Sequence, residues 1–62
     1  MKITFIEEIE EDDLTIFTER MQAKIERYSK KYDLVDIKFS AYSAEDQEWY
    51  CALLLFNDKD NL

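Results

Sequence analysis

Glycine, proline and histidine are all absent from this chain of 62 residues, and cysteine occurs once, as Cys51. Average usage would give about four glycines and about three prolines. Without glycine, the phosphate-cradling loops of the Rossmann and Walker types are excluded, because their backbone needs conformations that other residues resist. Tight primed hairpin turns are disfavoured for a related reason, since they require positive φ. A lone cysteine cannot form an internal disulfide, and without histidine it completes none of the common zinc patterns. Acid–base and nucleophilic catalysis draw mostly on His, Cys or paired carboxylates in a cleft. Cys51 sits inside an apolar segment, where an inert thiol is usual. The chain therefore reads as non-enzymatic, with no catalytic residue, no cofactor and no metal site.

Long apolar runs are also missing. The longest, Trp49–Phe56 (WYCALLLF), has eight residues, well short of the roughly 20 needed for a spanning helix. No basic start leads into an apolar signal core. The expectation is a soluble, cytoplasmic protein.

What is present is charge of one sign and a concentrated apolar segment. The formal net charge is −7. A chain of this size makes one domain, residues 1–62, and buries only about 60% of its unfolded surface. Small domains add disulfides, metals or self-association, and only self-association is left here. WYCALLLF supports that choice. A strand with one wet face alternates apolar and polar residues, and this segment does not, so both of its faces call for cover. Burying four Leu- or Phe-sized side chains on a second face is worth roughly 6–12 kcal/mol. That is comparable to the whole stability of a typical domain, about 5–15 kcal/mol.

The element order follows from periodicity. Residues 2–6 (KITFI) alternate as a short edge strand, with Ile3 and Phe5 on one side and Ile6 on the other. Glu7, Glu8, Glu10, Glu11, Asp12 and Asp13 then place six acids within seven residues. This run reads as a loop that becomes a helix start, with Asp12 or Asp13 as the cap. Leu14, Phe17, Met21, Ile25, Tyr28 and Tyr32 step at helical spacing, within a stripe about 80° wide. The helix is expected over residues 13–32. Residues 1–19 carry 7 acids and 1 base, and residues 20–32 carry 5 bases and 1 acid, a gradient that suits the helix dipole. A second strand is expected over 34–43. Val35, Ile37, Phe39 and Ala41 lie on one side of it, and Asp36, Lys38, Ser40 and Tyr42 on the other. Residues 44–48 read as a polar connection longer than a two-residue turn. The third strand is 49–56, and 57–62 is a frayed tail.

The fold class is therefore α+β with the order β-α-β-β. Placing the most apolar strand centrally gives an antiparallel sheet of order 1-3-2 with the helix packed on one face. Ile3, Phe5, Val35, Ile37, Phe39, Cys51, Leu53 and Leu55 are expected to face the helix. Tyr42, Tyr50, Leu54 and Phe56 are expected on the open face, as an oligomer or partner interface.

Two charged features accompany that face. The acidic run lacks the Asp-x-Asp-x-Asp-Gly pattern of a calcium loop. It reads either as a solvated surface or as a phosphate-like one that engages a basic site on another protein. Arg20, Lys24, Arg27 and Lys31 fall within about 60° on one flank of the apolar stripe. On so acidic a chain they signal contact with the acidic run of a second subunit rather than direct nucleic-acid binding.

The layout, the opening KITFIEE, the Asp13-Leu14 helix entry, VDIKFS at Val35–Ser40 and YCALLL at Tyr50–Leu55 together resemble the Cse-type sporulation proteins. These are short acidic proteins of Gram-positive bacteria with relatives in phages and prophages. The resemblance implies a similar fold and a bacterial or phage setting, and it carries no catalytic residue. The function expected is a non-enzymatic, protein-binding accessory protein. Its foremost form is a mobile-element inhibitor of a host nucleic-acid-handling enzyme, of the anti-CRISPR or anti-restriction type, with the acidic surface on a basic site. The alternative is a self-associating structural protein of the sporulation type. The partners expected are a second copy of the chain and a basic host protein, with no nucleic acid and no membrane.

Overall fold

Residues 3–59 are described by the structure, a computed structural model. The elements are β1 (Phe5–Glu11), α1 (Leu14–Tyr28), β2 (Tyr32–Ala44) and β3 (Gln47–Asp58). They form a three-stranded antiparallel sheet in the order β1-β3-β2. Phe17, Met21, Ile25 and Tyr28 of α1 pack on Ile9, Ala52, Leu54 and Phe56. The fold is thus the expected α+β one, with the strand that is apolar on both faces at the centre.

β1 corrects the reading of residues 2–6 as the strand and of the acidic run as a loop. Lys2 lies outside the described residues, and Glu7, Glu8, Glu10 and Glu11 all belong to β1. Carboxylates are weak strand formers, but this strand has compensating contacts. Ile9 is only 1% exposed. Glu7 and Glu11 flank it on the helix side, where Lys24 and Arg20 meet their carboxylates.

At the helix start Asp13 accepts a hydrogen bond from the Ile16 N–H at 3.1 Å, which settles the cap on the second of the two aspartates that the sequence offers. The helix stops at Tyr28 rather than Tyr32. The Ser29 N–H donates to the Ile25 carbonyl at 2.9 Å, and the Lys31 N–H donates to the Tyr28 carbonyl at 3.1 Å. Tyr32 already belongs to β2, yet its ring meets Phe5 edge-on at 4.7 Å. It joins the same apolar cluster from a strand, which is why the helical spacing runs on past the helix.

The hairpin is tighter than expected. Ala44 pairs with Gln47, leaving a two-residue turn of Glu45 and Asp46 with φ of 53° and 64°. Positive φ at both positions is the type I′ pattern. It forms here without glycine because the long β2–β3 ladder and the right-handed twist select it.

That turn sets the phase of β3. Tyr42 pairs with Trp49, Ser40 with Cys51, Lys38 with Leu53 and Asp36 with Leu55. Paired residues share a face, so Trp49, Cys51, Leu53 and Leu55 lie on the open side. Ala52, Leu54 and Phe56, each 0% exposed, face the helix. The expected assignment of Cys51, Leu53 and Leu55 to the helix side is corrected by one residue. A bulge between Leu34 and Asp36 makes Val35 the extra residue, while Leu34 and Ile37 keep the helix-side face.

The helix packs most closely on β1 and leaves the far edge of the sheet uncovered. Ile37 and Phe39 are therefore 39% and 59% exposed although they lie on the helix side. The molecule is 50 Å long, against about 22 Å for a helix of 15 residues. The β2–β3 hairpin supplies the remainder.

Candidate functional site

The open face can be built row by row from the pairing. Ile6, Leu55 and Asp36 form one row, Glu8, Leu53 and Lys38 the next, and Glu10, Cys51 and Ser40 a third. Trp49 and Tyr42 form a fourth. Trp49, Cys51, Leu53 and Leu55 are half-buried by neighbouring side chains, and Ile6 and Tyr42 are exposed. An apolar line thus runs down the centre of the face, with carboxylates on the β1 side. The β2 side carries an ion pair, Lys38 Nζ to Asp36 Oδ2 at 3.1 Å.

Tyr42 ties the margins together. Its hydroxyl donates to Glu10 Oε2 at 2.6 Å, and this hydrogen bond raises the phenol above its ordinary pKa. The Lys38 ammonium, together with the Ile37 N–H, holds Asp36 below the usual carboxylate range. Loss of hydration pushes the Cys51 thiol up, with Glu10 and Glu8 adding to the effect. A thiol so placed stays protonated near neutral pH and is a poor nucleophile.

The four residues expected at an interface are not on one surface. Tyr42 is on the open face. Leu54 and Phe56 are in the core. Tyr50 is on the helix side, its ring 6.1 Å from that of Phe17 and its hydroxyl donating to Glu48 at 3.1 Å. In their place the open face presents Trp49, Cys51, Leu53 and Leu55. The signal that identifies them is parity: a two-residue turn places Trp49 opposite Tyr42, and every second residue of β3 then follows.

The acidic run is divided by the pleat of β1. Glu7 and Glu11 lie toward α1, Glu8 and Glu10 on the open face, and Asp13 caps the helix. Asp12 accepts from the Gln47 amide near the hairpin tip. The basic stripe is divided too. Lys24 Nζ contacts Glu7 Oε1 at 2.6 Å, and Arg20 pairs with Glu11. These contacts with the acidic run are made within one chain, where the sequence suggested a second subunit. The Arg27 guanidinium lies 5.6 Å from the Tyr28 ring centroid, and Lys31 falls beyond the helix end.

Among the described residues, no group of three or more carboxylate or thiol side chains is arranged to hold a metal ion. Open hollows among the described residues include one at Ala23, Glu26, Arg27 and Lys30 and another at Ala41, Tyr42, Ser43 and Glu48. No helix of the described residues is long and apolar enough to cross a membrane. No protein-family model, curated protein or solved structure matches this chain.

Proposed function

We propose that this chain is a non-enzymatic protein-binding module that works through the open face of its sheet. The observation that carries the reading is the line Trp49, Cys51, Leu53 and Leu55, turned away from α1 and not fully buried within the chain. Apolar side chains gathered on one face and rimmed by polar groups mark interaction surfaces. Trp49 and Tyr42 add the amphipathic rings that such surfaces favour. A self-associating accessory protein, of the kind that the resemblance to the sporulation family suggests, fits this face directly.

The net charge of −7 supports a second reading. Glu8 and Glu10 project from the same face as the apolar line. A basic site on a host nucleic-acid-handling enzyme would complement them, as in inhibitors carried by phages and other mobile elements. The ion pairs of Glu7 and Glu11 within the chain leave fewer free carboxylates for this role.

Capture from a Gram-positive host lysate with tagged protein tests the proposal. The wild type is compared with Leu53→Asp, whose helix content is checked by circular dichroism. The variant is expected to lose whatever the wild type retains, itself included. An unchanged set of captured proteins would overturn the role of the face. Salt separates the two readings: a charge-based complex weakens between low and moderate salt, while an apolar sheet contact persists.

A further inference from the structure

We propose that a second copy of this chain covers the open face, packed sheet on sheet about a two-fold axis running along β3, so that Glu8 of each copy meets Lys38 of the other. The inference rests on the reading of that face as a binding surface and names its occupant and geometry.

The row through Leu53 sets the geometry. Glu8 on β1 and Lys38 on β2 both pair with Leu53 on the central strand, so they stand level at opposite margins. Both are exposed, and the Lys38 side chain is 64% so. Closed dimers of identical chains use a two-fold axis, and two sheets packed face to face with strands nearly aligned can place it in two ways. An axis across the strands lays β1 on β1 of the partner. Depending on the row it crosses, Glu8 then faces a second Glu8, a Glu10 or Ile6. In the last case Lys38 meets Asp36 of the partner subunit, a group it already pairs with inside its own chain, and Glu8 is left against an apolar side chain. An axis along β3 lays β1 on the partner's β2 instead, and it fixes the register because no sliding along a two-fold is allowed.

In that register each row meets its own reverse. Glu8 faces Lys38 twice, and Glu10, which already accepts from Tyr42 of its own chain, faces the Ser40 hydroxyl, a further hydrogen-bond donor, twice. Leu53 and Leu55 close on their own copies along the axis, with Cys51 between Leu53 and Trp49. Of the three rows that all the strands complete, only Ile6–Asp36 is mismatched, and Lys38 is then shared between Asp36 of its own chain, 3.1 Å away, and Glu8 of the partner subunit. Sheets packed this way lie about 10 Å apart, a gap that a glutamate and a lysine span together. The acidic strand thus meets the strand carrying the face's lysine, which no cross-strand axis achieves.

Charge reversal in the full chain, read by sedimentation equilibrium at neutral pH, tests this. Glu8→Lys and Lys38→Glu each turn two attractive contacts into repulsive ones, and each is expected to weaken the dimer roughly tenfold. Glu8→Lys makes the chain less acidic and so reduces overall repulsion, which means that net charge cannot cause its weakening. The double variant Glu8→Lys/Lys38→Glu is expected to dimerise more tightly than either single variant, though short of wild type because Asp36 loses its Lys38 partner. Circular dichroism of all three confirms that the fold is kept. A wild type that dimerises while the single variants match it would overturn the axis along β3. A wild type monomeric at about 100 µM would overturn the second copy as occupant. The binding role of the face would then stand or fall separately, on the capture by Leu53→Asp.

Discussion

Leu53 and Leu54 are neighbours of identical chemistry with opposite roles, and the contrast is the sharpest statement the fold makes about single residues. Leu54 is 0% exposed beneath α1, whereas Leu53 is half-buried on the open face. Truncating a buried leucine costs about 2–5 kcal/mol, because the methyl groups lost leave a cavity. In urea unfolding of dilute protein, Leu54→Ala is expected to fall in that range and Leu53→Ala to cost less than half as much. The reverse order would put β3 in the opposite phase. The sequence itself could not settle this point. In WYCALLLF both parities are apolar, so the run lacks the alternation that normally tells one face from the other.

Among the elements, the hairpin has the most to say about what a sequence conceals. Glu45 and Asp46 hold φ of 53° and 64°, a region that costs a residue with a side chain roughly 1–2 kcal/mol. Replacing them by Asn and Gly (E45N/D46G) is expected to stabilise the protein by about 1–2 kcal/mol, read as a rise in Tm of roughly 4–16 °C. A fall in Tm would show that the turn is not of the I′ kind. The absence of glycine argued against such a turn, and the β2–β3 ladder overrode that local preference. β1 gives a parallel lesson. Its acids read as loop because strand propensity ignores partners, and Lys24 and Arg20 arrive only when α1 folds back. The helix, by contrast, was legible in its stripe and in the pair of aspartates, Asp12 and Asp13, that precede it. So was the central place of the most apolar strand. The end of the helix was not, because Tyr32 contributes to the cluster from β2 as though the helix continued.

At the scale of the whole molecule two properties pull in opposite directions. A net charge of −7 on a chain of 7.5 kDa makes copies repel. The apolar line on the open face draws them together, and it lies along a sheet whose hairpin outreaches the helix. Adding salt screens the first and leaves the second, since the Debye length falls from about 10 Å at 0.1 M to about 3 Å at 1 M. Trp49 is the chain's one tryptophan, and it lies on the face in question. Its emission in a dilution series from about 100 µM to 1 µM is therefore the most direct test of the account. Covering by a second copy predicts a blue-shifted maximum at high concentration that moves to the red on dilution. A maximum at the solvent-exposed, red position even at about 100 µM would contradict it.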